Sequence, residues 1–163
     1  MFDVINFGKV IIMKRLVSVL LSVILVVGVL SVSASARGPE DILLSREVEV
    51  LENGDTITTE IYLNAVQPMS GTYGYKKSIY STASGKDMWA VIVNGTFTYT
   101  YGVSSQATSA EAIVELYDNG CKFISKNAYT HSNAATATCS VQYGGAVSNA
   151  SVTLYCDIYG KLS

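Results

Sequence analysis

An antiparallel all-β sandwich of about seven or eight strands, behind an N-terminal signal helix, is the fold this sequence predicts. Three observations point to it. Apolar and polar residues alternate with period two through most of the chain after Ala36, and no helical period persists. Turn signals break that alternation at short spacing, at Asn53-Gly54, Ser84-Gly85-Lys86, Asn119-Gly120 and Gly144-Gly145. Thr, Ser, Val and Tyr dominate the same region, which holds only Pro39 and Pro68.

The chain of 163 residues opens on a region read as a signal peptide, residues 1–36. Lys14 and Arg15 form its basic start, Leu16 to Leu30 its apolar run, and Ala34-Ser35-Ala36 its cleavage site. The apolar run, about 15 residues, falls short of the roughly 20 that span a bilayer. Cleavage after Ala36 and export are therefore expected, ahead of a membrane anchor. Because signal peptides begin on their charged segment, Met13 is the expected start.

Net charge is −2, and it becomes more negative once Lys9, Lys14 and Arg15 leave with the signal region. A nucleic-acid partner is not expected on a chain without a basic footprint. Glu40, Asp41, Glu47, Glu49, Glu52, Asp55 and Glu60 precede Tyr62, against Arg37 and Arg46 alone. Residues 37–66 are thus read as an acidic N-terminal segment, and 67–163 as the β-sandwich domain.

The first hairpin, on Asn53-Gly54, is weak. It pairs Val50 with Ile57 but also Glu47 with Glu60, and facing like charges destabilise a ladder. A peripheral hairpin follows. Next, "TYGYKKSIY" puts Tyr73, Tyr75 and Lys77 on one face and Lys76 and Tyr80 on the other. Through Ser84-Gly85-Lys86 this strand neighbours the next, "KDMWAVIVNGTFTYTYG".

In that phrase Asn94-Gly95 has the form of a tight hairpin turn. A turn there would pair Trp89 with Thr100 and Val91 with Thr98, leaving no clean apolar side. Read straight through, Trp89, Val91, Val93, Phe97, Tyr99 and Tyr101 share one face. One long strand with a glycine bend is expected, its aromatic ladder facing the core. Asn119-Gly120 then sets Leu116 beside Phe123. Closing on Gly144-Gly145 pairs Val141 with Ser148, Cys139 with Ala150, Ala137 with Val152 and Ala135 with Leu154, with Ser, Thr, Asn and Gln opposite.

That last register separates Cys139 from Cys156 by about 20 Å of strand, too far for a disulfide. Cys121–Cys139 is the remaining plausible bridge, and small buried hydrophobes are the favoured reading of all three thiols. The sole histidine, His131, lies in a turn with no nucleophile-elbow motif in the chain. Glu111 and Glu115 share a face but stand about 13 Å apart, beyond glycosidase spacing. Neither calcium-loop nor zinc-ligand spacing occurs. No catalytic, cofactor-binding or metal residue is assigned, no cofactor is expected, and the chain is read as a non-enzyme.

"W-x-V-x-V-x-G-T-F-T-Y" (Trp89 to Tyr99), the Ser/Thr-rich alternating strands and the close "VTLYCDIYGKLS" carry a likeness. From Tyr73 to Ser163 the chain resembles small secreted Gram-positive proteins of clostridial type. The resemblance implies export and a Ser/Thr-rich immunoglobulin-like β-sandwich, and it transfers no functional site. The expected role is binding of a glycan, cell-wall component or extracellular protein, with Tyr73, Tyr75 and Lys77 as the candidate contact residues. The alternative is a membrane-active, pore-forming or bacteriocin-like protein, since hairpins alternating apolar residues with Ser and Thr also build membrane barrels.

Overall fold

The computed structural model describes residues 41–67 and 71–163. The signal region, with Ala34 and Ala36, lies outside the described residues. β1 (Ile42–Val50), β2 (Thr56–Gln67), β3 (Gly71–Ser81), β4 (Asp87–Thr100) and β5 (Ser104–Leu116) form one antiparallel sheet in chain order. β6 (Cys121–His131), β7 (Ala134–Tyr143) and β8 (Ala146–Tyr155) form a second. The all-β sandwich expected from the alternation is what forms. Each sheet is a plain meander, so its connections are simpler than the Greek-key order of an immunoglobulin domain.

β4 runs unbroken through Asn94-Gly95. Trp89, Val91, Val93 and Phe97 point at the smaller sheet and are almost fully buried. A Cβ at Gly95 would sit 2.7 Å from the Phe97 ring and 3.1 Å from the Ala135 Cβ of β7. The glycine is therefore where the two sheets come closest, not a turn. The ladder stops sooner than its pattern implies. β4 ends at Thr100, Tyr99 is half-buried, and Tyr101 is 70% exposed in a turn whose Gly102 has φ +72°. On the opposite face Ala90 and Ile92 are buried too, flanked by Lys77, Ile79, Ile113 and Glu115 of the neighbouring strands.

The Gly144-Gly145 hairpin has the register read from its sequence, with Val141 opposite Ser148 and Ala135 opposite Leu154. Both glycines have positive φ, +56° and +86°, as a two-residue hairpin turn requires. Two other turns differ from expectation. Asn119-Gly120 closes no hairpin: Leu116 and Phe123 belong to different sheets, and residues 117–120 carry the chain from one layer to the other. The Met88 carbonyl accepts from the Tyr117 and Asp118 amides, and Asp118 Oδ1 accepts from the Gly120 amide at 2.7 Å. These bonds turn the chain away from its own sheet.

At Asn53-Gly54 the loop is longer than two residues. The Leu51 amide donates to the Asp55 carbonyl and the Gly54 amide to the Leu51 carbonyl. The register consequently slips by one, pairing Val50 with Thr56, Glu47 with Thr59 and Arg46 with Glu60. A like-charge clash becomes an ion pair, with Arg46 Nε 3.5 Å from Glu60 Oε1. β2 in turn pairs with β3 along its length.

The two layers are unequal. β6, β7 and β8 pack over β3, β4 and β5, while β1 and β2 extend past the cover. Their inner face overhangs beside β8, and that mismatch opens a cleft there.

Candidate functional site

On the outer face of the larger sheet, Tyr73, Tyr75 and Lys77 do share a side, as alternation requires. They do not form an open platform. Tyr75 is buried, stacked on Tyr62 at 4.6 Å between centroids, and donates its hydroxyl to Asp41 Oδ2 at 3.2 Å. Asn64 Nδ2 donates to the other Asp41 oxygen. Lys77 Nζ donates to Glu115 Oε2 at 2.8 Å and lies 5.4 Å from the Tyr117 ring centroid. Tyr73 is half-buried, opposite Thr96. The Tyr62 hydroxyl donates to Glu60, and burial together with that carboxylate pushes its pKa up to about 12. The cluster is thus a satisfied aromatic and ionic network over the buried Ile92.

His131 is exposed at the end of β6. Glu111 accepts from Asn94 at 3.2 Å, while Glu115 is taken by Lys77. Among the described residues no three His, Cys, Asp or Glu side chains gather as a metal site. Cys121, Cys139 and Cys156 are unlinked and buried, and burial pushes each thiol above its ordinary value. Cys139 stands opposite Ala150, which keeps it far along the strand from Cys156.

The overhang is the concave alternative. A cleft of about 610 Å³ is lined by Leu44, Ser45 and Glu47 of β1, Thr59 and Ile61 of β2, Lys76 of β3, and Tyr155 with Lys161 to Ser163. A second cleft of about 350 Å³ lies further along β8 at Ser148 and Asn149, against Thr56, Tyr80 and Trp89. Tyr80 stacks on Trp89 at 3.9 Å. Both clefts lie between β8 and strands of the larger sheet, one toward each end of β8, and this pair of clefts is the trough.

The chain builds one end of this trough itself. Asp157 Oδ1 accepts from the Tyr159 and Lys161 amides, tightening a turn that contains Gly160 at φ +81°. The tail doubles back, and Ser163 exchanges both main-chain hydrogen bonds with Tyr155, at 2.9 and 3.0 Å. Leu162, in the bridge to Cys156, buries its side chain against Gly74.

Lys76 stands on the trough floor, in phase with the core-facing Ser78 and Tyr80 rather than with the outer network. No hydrogen bond or ion pair satisfies its ammonium among the described residues. Burial pushes that ammonium below the ordinary lysine value, with Glu47 opposing the shift. Sequence alternation already placed Lys76 on the face of Tyr80. A charged residue in phase with buried neighbours is the signal that marks this site. No family model, curated protein or solved structure matches this chain.

Proposed function

We propose that this protein is a secreted, non-enzymatic binding domain that engages an extracellular protein, glycan or cell-wall component. The observation that carries this reading is the trough: a concavity with a half-buried cation that has no hydrogen bond or ion pair among the described residues, left open because three strands cover five. The outer network of Tyr75 and Lys77 supports the sheet behind it. The membrane-active alternative draws on β7 and β8, yet Ala135, Ala137, Val141, Val152 and Leu154, which would have to meet lipid, are packed in the core.

The test uses the full chain expressed with its signal region in a secreting host. Cleavage after Ala36, release into the medium and saturable retention on cell-wall sacculi or on immobilised extracellular proteins are expected. Thr59→Trp, which fills the larger cleft, should lose that retention while keeping its circular dichroism. No saturable retention on either support, or dye leakage from vesicles at micromolar protein, overturns the reading.

A further inference from the structure

We infer that the trough takes an extended segment of a protein partner, added as a further strand on the edge of β8, with an inward carboxylate reaching Lys76. This deepens the binding role proposed above and rests on it.

The edges of the two sheets are not alike. Exposed strand edges invite pairing, and proteins blunt them with charges, prolines and bulges. β1 carries Arg46, Glu47 and Glu49 and a bulge at Leu44. β5 carries Glu111 and Glu115, with a register shift against β4. β6 carries Lys122 and Lys126 and a bulge at Ile124. β8 reads "AVSNASVTLY", with no charge, no proline and an unbroken register. Among the described residues no strand pairs with its outer edge from Ala146 to Leu154.

The direction of its main-chain groups is fixed by the tail. Tyr155 bonds outward to Ser163, and Cys156 bonds the other way, to the Asn133 carbonyl. Alternation along an unbroken antiparallel ladder then turns the amides of Thr153, Ser151 and Asn149 outward as well. Strand addition uses such groups for affinity and side-chain pockets for selectivity. Residues 161–163 show the mode on a small scale: they sit as the stub of another strand, Leu162 inward over Gly74. A segment continuing that line would place its first inward side chain one step along β3 from Gly74, at Lys76. That ammonium is partly desolvated and, among the described residues, has no hydrogen bond or ion pair, Glu47 across the cleft acting on it only at longer range, so it favours a carboxylate.

The experiment titrates the full chain with two capped hexapeptides, ETVTVT and KTVTVT, and follows amide exchange by NMR. The glutamate peptide should protect the Asn149, Ser151 and Thr153 amides and bind at least tenfold more tightly than the lysine peptide. Ser151→Pro removes an outward amide at a position where an edge strand tolerates proline. It should abolish protection while Trp89 emission stays unchanged. Lys76→Met should bring the two peptides to equal affinity. Absent protection, protection that survives Ser151→Pro, or equal affinities for the unaltered chain overturn the inference. So does protection without peptide that disappears on dilution, which would assign the edge to a second copy. If retention on sacculi or proteins stays sensitive to Thr59→Trp while these peptides fail, the binding role stands and strand addition falls.

Discussion

Gly95 and Lys76 occupy neighbouring strands of one sheet and represent opposite demands on a residue. Gly95 is needed for what it lacks. With Phe97 carbons 2.7 Å and Ala135 3.1 Å from its missing Cβ, Gly95→Ala forces the sheets apart or the ring off its rotamer. We expect a loss of about 1–3 kcal/mol, as for other overpacked cores, read as a lower midpoint in urea. Lys76 costs stability instead. Its folded-state pKa lies below the ordinary lysine value of 10.5, so the folded chain disfavours the charged form. The cost is present in full at neutral pH and is relieved as pH rises through the folded value toward 10.5. Lys76→Met should therefore melt higher than the unaltered protein at pH 7, and the difference should shrink above pH 10.5. A gap unchanged by pH would mean that packing, not charge, sets it.

At the scale of elements, strands were legible in the sequence and their ends were not. Alternation alone carried β4 through Asn94-Gly95, because only the straight reading gives one apolar face. The same logic fixed β7 against β8. It failed at Asn53-Gly54 and Asn119-Gly120, where dipeptides that favour turns leave open how long a loop is and which sheet follows. Side chains decide both, through contacts some of which are local and some distant in sequence. Asp118 holds the crossover through Gly120, and Asp55 ties the first hairpin to the next by accepting from the Ala83 amide at 2.9 Å. Asp55 also accepts from Asn53 Nδ2 at 2.8 Å. Asp55→Ala should cost about 0.5–1.5 kcal/mol and speed exchange of the Ala83 amide specifically. The trough was hidden for a related reason. Lys76 could be placed on its face from the sequence, but that three strands would cover five depends on where the chain changes layers.

For the whole molecule, the question is whether the unequal sandwich opens as one body. Trp89, the single tryptophan, is buried between the sheets against Tyr80, and its emission reports the interface directly. The thiols report three other places: Cys121 at the crossover, Cys139 in mid-β7 and Cys156 where the tail begins. Their folded-state pKa values are raised by burial. The stability each contributes is complete below the ordinary thiol value of 9.0 and is lost as pH rises through the folded value. Alkylation at pH 8 should leave native protein unmodified and label all three thiols at the denaturant concentration where Trp89 emission shifts, in one cooperative step. Leu162, buried beneath the trough, is what couples the tail to that step. Labelling of Cys156 ahead of Cys139 would show the tail leaving β8 while the sandwich persists, and the edge open to a partner would then reach past Tyr155.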